Sequence, residues 1–105
     1  MNTANGDRAL FNSTTGTLNT AIGANALFEN TTGSGNTAVG TSTLVNSTTG
    51  NGNIALGFSA GNAVNIASNV IAIGTLGQDV SNSCFIGQIY TNIQPQVGTD
   101  QIWSR

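Results

Sequence analysis

Gly6, Gly23, Gly40, Gly57 and Gly74 recur every 17 residues, and their neighbours recur with them. Asn2, Asn19, Asn36 and Asn53 stand four places before the first four glycines, and Leu10, Leu27 and Leu44 four places after the first three. Gly16, Gly33 and Gly50 close the same units. A period this strict describes one short unit stacked several times, each copy touching mainly its neighbours. The units run over residues 2–18, 19–35, 36–52, 53–69 and 70–87. The last is irregular, because Gly87 follows Gly74 after only 13 residues. Residues 88–105 leave the pattern and read as a cap or connector.

Within a unit, the NTAIG segment (residues 19–23) is short and made of small or β-branched residues. Alternation sends Thr20 and Ile22 to one side and Ala21 to the other. A second short strand is expected at residues 26–28, followed by an Asn-Thr-Thr-Gly turn that suits left-handed backbone. Helix is a poor alternative, since Gly, Asn, Thr and Ser are mediocre to bad helix formers. The predicted fold is therefore all-β, a parallel β-solenoid of 17-residue coils. With stacked coils about 4.8 Å apart, five or six levels make a rod roughly 25–30 Å long.

Residues of one phase stack into columns. The column Asn5, Ile22, Val39, Leu56, Ile73 and Ile86 is expected in the interior, together with Leu10, Leu27 and Leu44. A charge placed at Ile22 or Val39 would then unfold or dissociate the protein, because it would be buried unpaired. The column Thr3, Thr20, Thr37, Ile54, Ile71 and Cys84 becomes apolar toward the C-terminus. The opposite strand face carries Ala4, Ala21, Ala38, Ala55, Ala72 and Phe85. With apolar residues on both faces, one face fills the coil and the other calls for a partner surface. A homo-oligomer packed along the solenoid axis follows. The Asn19, Asn36 and Asn53 ladder is expected to satisfy backbone groups at the turn and to stack amide on amide.

Composition narrows the function. Only six residues are charged, Asp7, Arg8, Glu29, Asp79, Asp100 and Arg105, and there is no His or Lys. Ordinary domains carry about 25% charged residues, so Asn, Thr and Ser must solvate this surface. Two isolated arginines and a net charge of −2 exclude the clustered cations that nucleic acid requires. No polybasic stretch suits an anionic membrane, and no apolar run nears the roughly 20 residues of a membrane helix. The N-terminus does not read as a signal peptide. Met1 runs straight into repeat sequence, which suggests a piece of a longer protein with its export signal or anchor elsewhere.

The units resemble the head repeats of trimeric autotransporter adhesins, whose short Asn/Ser-x-Ala-Ile-Gly strand is matched by NTAIG (19–23), NTAVG (36–40), NIALG (53–57), VIAIG (70–74) and SCFIG (83–87). They are more similar still to repeat regions of bacterial and phage-like tail-fibre proteins, many of which end in a self-cleaving endosialidase-type chaperone. ALFENTTGSGNTAVG (26–40) and SNSCFIGQIYTNIQPQVGT (81–99) carry that likeness, which spans about residues 2–99. The resemblance implies a left-handed parallel β-roll, three chains side by side and an extracellular location. The 17-residue unit is longer than the usual adhesin head repeat, which leaves the coil shape open.

Candidate chemistry is sparse. Without histidine, Ser-His-Asp and Cys-His arrangements are impossible, and Cys84 reads as a buried, inert thiol in an apolar column. Asp7 and Glu29 fall at different phases, so a glycosidase-like carboxylate pair would have to form between chains. Calcium-binding rolls need a Gly-Gly-x-Gly-x-Asp pattern that is missing, and no Gly-Lys-Ser/Thr follows the glycines to hold phosphate. No catalytic residue, cofactor or metal is expected. Three Asn-x-Ser/Thr sequons, at Asn12, Asn30 and Asn46, read as turn residues rather than glycan acceptors. Phe11 and Phe28, at one phase, read as interface packing. The rows Thr14, Thr31, Thr48 and Thr15, Thr32, Thr49 leave an ice-binding solenoid as a rival. The favoured reading is a non-enzymatic segment of an extracellular trimeric fibre, binding itself and a host or cell-surface glycan or protein.

Overall fold

The computed structural model describes residues 1–88, so the expected cap or connector lies outside the described residues apart from Gln88. Six strands follow in chain order: β1 (Thr3–Asn5), β2 (Thr20–Ile22), β3 (Thr37–Val39), β4 (Ile54–Leu56), β5 (Val70–Ile73) and β6 (Ser83–Ile86). Each pairs in parallel with the next, giving one sheet in the order β1-β2-β3-β4-β5-β6. The register is the sequence period itself, with Thr20 opposite Thr37, Ala21 opposite Ala38 and Ile22 opposite Val39. At the last step the coil shortens, and Ile71 faces Cys84 while Ala72 faces Phe85. No described residue is helical. The protein is an all-β parallel solenoid of about five turns.

Each coil has one strand, not two. Residues 26–28, expected as a second strand, form turns instead. Asn25 and Leu27 are left-handed, at φ 58° and 53°, as are Ser42 and Leu44 at 59° and 48°. Two left-handed residues separated by one bend the chain too sharply for a strand. Inter-coil hydrogen bonds nevertheless continue through the bend: Leu27 N–H donates to the Thr43 carbonyl at 2.9 Å, and Ser42 N–H to the Ala24 carbonyl at 2.8 Å. A left-handed leucine costs roughly 1–2 kcal/mol. Full burial of its side chain contributes roughly 1.5–3 kcal/mol, and Leu27 is wholly buried, so burial wins.

At Gly6, Gly23 and Gly40 both conformation and crowding require glycine, whereas at Gly57 and Gly74 only the positive φ does. Gly23 has φ 125°, and a Cβ there would come 2.6 Å from the Gly40 carbonyl carbon one coil above.

The interior is the reverse of the expected one. Ala21, Ala38, Ala55 and Ala72 point inward and are buried, together with Leu10, Leu27 and Leu44. The Ile22, Val39, Leu56, Ile73 column, expected inside, faces outward: Ile22 is 41% exposed, Leu56 50% and Ile73 36%. The cause is cross-section. In the first three coils the turn sends one leucine across the narrow interior, which leaves the strand opposite room for a methyl group only. Where the leucine is missing, other groups fill in. Gly61 takes its place in the fourth coil, and a Cβ there would lie 2.7 Å from Leu44 Cδ2. At the C-terminal end Phe85 takes the alanine phase and packs against the core.

Candidate interaction surface

A buried polar spine runs along the rod and holds the surface in place. Asn19 Oδ1 accepts the backbone N–H of Asn36 at 2.9 Å, and Asn36 Oδ1 accepts that of Asn53 at 2.8 Å. Their amide nitrogens donate to the turn that closes the same unit, Asn19 to Gly33 O at 2.8 Å and Asn36 to Gly50 O at 2.9 Å. Asn53 continues with Val70 N–H and Ala67 O, both at 2.9 Å. The contacts are side chain to backbone, not amide to amide. Each asparagine thereby supplies an acceptor and a donor to buried backbone groups, although Gly33 O also accepts from Asn30 Nδ2 at 3.0 Å. A second, unexpected ladder runs on the surface. Ser34 Oγ, Asn51 Oδ1, Ser68 Oγ and Ser81 Oγ accept the N–H groups of Thr17, Ser34, Asn51 and Ser68 at 2.8–3.0 Å. Its signal in the sequence was a small polar residue right after each Gly16-phase position.

The outward sheet face is a continuous apolar surface. Its two columns are Thr3, Thr20, Thr37, Ile54, Ile71, Cys84 and Asn5, Ile22, Val39, Leu56, Ile73, Ile86. Neither contains a charge, and both become more apolar from β1 to β6. Cys84 is exposed on this face, not buried as expected, because the face inverted along with its column.

The threonine rows behave differently from each other. Thr14 and Thr31 hydroxyls donate to the next coil's carbonyls, at 2.9 Å to Thr31 O and 3.2 Å to Thr48 O, and Thr48 reaches Asn65 Oδ1 at 3.0 Å. Thr15, Thr32 and Thr49 are exposed and lie one coil apart. Phe11 and Phe28 stack with ring centres 5.5 Å apart and an interplanar angle of 8°.

The described acidic residues are kept apart, and Asp100 lies outside the described residues. Asp7 lies 3.8 Å from Arg8 across an exposed pair, Glu29 accepts from Asn12 Nδ2 at 3.0 Å, and Asp79 is bound to backbone N–H groups of residues 65–67. Among the described residues, no three His, Cys, Asp or Glu side chains gather as metal ligands would. Nor is any described helix long and apolar enough to cross a membrane. The three sequons occupy different settings. Asn30 is fully buried, Asn12 is half-buried against Glu29, and Asn46 is exposed and donates to Asn62 O and Oδ1 at 2.9 and 2.7 Å.

Comparison with protein-family models, with curated proteins and with solved structures found no match.

Proposed function

We propose that this chain is a structural and adhesive segment of an extracellular fibre, of the surface-adhesin or phage-like tail-fibre kind. Three copies pack side by side as left-handed rolls through the outward sheet face, and no catalysis occurs. The observation that carries the reading is that face: two uncharged columns with large aliphatic side chains at 36–50% exposure along one side of a rod. Apolar burial at about 25 cal/mol per Å² would drive such packing. The likeness of the NTAIG-type strands to trimeric adhesin heads and tail-fibre repeats supports both the trimer and the setting. Function would then be mechanical and multivalent, with threefold repetition turning weak contacts to a cell-surface glycan or protein into avidity.

Light scattering tests this directly. A mass near three chains that falls to one in the Leu56→Asp variant supports the reading. A wild-type monomer overturns it. The exposed row Thr15, Thr32 and Thr49 favours a second reading, an ice-binding solenoid, which predicts that a monomer alters ice-crystal growth and loses that effect on Thr32→Lys substitution.

A further inference from the structure

In the first two coils, the turn presents three successive N–H groups to a single oxygen of the next coil. Thr14, Thr15 and Gly16 donate to Thr31 O at 2.9, 3.2 and 3.3 Å; Thr31, Thr32 and Gly33 donate to Thr48 O at 2.9, 3.3 and 3.4 Å. Such a cluster of converging N–H groups is a small anion-binding concavity. In the fourth coil the same three positions, Asn65, Ile66 and Ala67, donate instead to Asp79 Oδ1, at 2.9, 2.9 and 2.7 Å. A side-chain carboxylate has taken the place of a main-chain carbonyl.

A second, independent feature marks the same level. Gly16, Gly33 and Gly50 must be glycine because a Cβ at any of them would overlap the next coil's carbonyl oxygen, that of Gly33, Gly50 and Ala67 respectively. The following residue of this phase is Ala67, which carries a Cβ. The steric demand for glycine ends at the level where Asp79 enters and the coil shortens to 13 residues.

We propose that Asp79 is the stop of the turn ladder: its carboxylate closes the three-N–H concavity of residues 65–67 in place of a further full coil and holds the short final coil, through β6, in register. Charge-assisted hydrogen bonds are roughly twice as strong as neutral ones, so one side chain does the work of a stacked turn. Neighbouring contacts belong to the same closure: Ser81 Oγ accepts Ser68 N–H at 2.9 Å, and Asn82 Oδ1 accepts from Asn69 Nδ2 at 3.1 Å.

The stop is acid-sensitive. Burial pushes the Asp79 carboxyl up, but the N–H donors of Asn65, Ala67 and Ile66 outweigh it and hold the group below its ordinary value. Among the described residues no other charged group faces it. Across residues 46–88 the only other titratable side chain is Cys84, and Asp7, Arg8 and Glu29 belong to the first two coils. Because the folded value lies below the unfolded one, the stabilisation is complete above the ordinary aspartate range and is lost as pH falls through the folded value.

Amide hydrogen exchange on the whole chain tests the proposal. At neutral pH, Asp79→Ala should speed exchange at Asn65, Ile66 and Ala67 by about tenfold or more and loosen β6, while Thr31 and Gly33 stay protected. Asp79→Asn keeps an acceptor oxygen without the charge and should fall between. Lowering the pH through the aspartate range should bring wild-type protection at residues 65–67 to the Asp79→Asn level and leave that variant unchanged. Should the alanine variant fail to fold, the asparagine variant and the wild-type titration still decide. Wild-type protection in Asp79→Asn with no acid response, or equal loss at Thr31 and Ala67, overturns the proposal.

Discussion

The side-chain oxygen of Asn36 accepts the backbone N–H of Asn53, 17 residues on, at 2.8 Å, while its amide nitrogen donates to the Gly50 carbonyl at 2.9 Å. One side chain thus ties the turn that closes its own unit to the first residue of the next. All of this is buried, so water cannot substitute.

Asn36→Ala should leave a buried N–H and a buried carbonyl unpaired. Each such orphan costs about 1–3 kcal/mol, so the variant should lose roughly 2–6 kcal/mol in chemical denaturation. Asn36→Asp should be worse at neutral pH, since a carboxylate oxygen would then oppose the Gly50 carbonyl. An alanine variant as stable as wild type would remove the spine from the account of this fold.

The inverted interior makes a paired prediction. Ala38→Asp puts a charge in the methyl-sized space inside the coil and should abolish the folded state, as read by circular dichroism. Ile22→Asp lies on the outward face and should leave the secondary structure intact while shifting the solution mass toward one chain. If Ile22→Asp unfolds an isolated monomer, the outward assignment of that column fails.

Ser47 is buried and its hydroxyl has no hydrogen-bond partner among the described residues. The next coil places Val64, also buried, at this phase. Ser47→Ala removes the unpaired group without adding bulk and should raise unfolding stability by about 1 kcal/mol. A loss of similar size would mean that the hydroxyl is bonded in solution.

Much of the architecture was legible in the chain. Spacing alone gives the stacking of Thr20 on Thr37 and Ala21 on Ala38, because identical phases in a parallel stack must align. The buried Leu10, Leu27 and Leu44 column was legible too. The asparagine ladder was recognisable as a backbone satisfier, although its bonds run to main chain rather than between amides. Asp79 was not readable as a structural residue, since its partners lie 12–14 residues upstream and nothing local marks it.

What the sequence by itself determined is the period, and with it the parallel stack, the register and the glycines that close approach demands. What only the tertiary structure decided is which strand face turns inward. Alternation divides Ala21 from Thr20 and Ile22 but carries no sign. The sign comes from the left-handed bend at Leu27, which sends a leucine across a cavity too narrow for a second large side chain, so the alanines go in and the isoleucines go out.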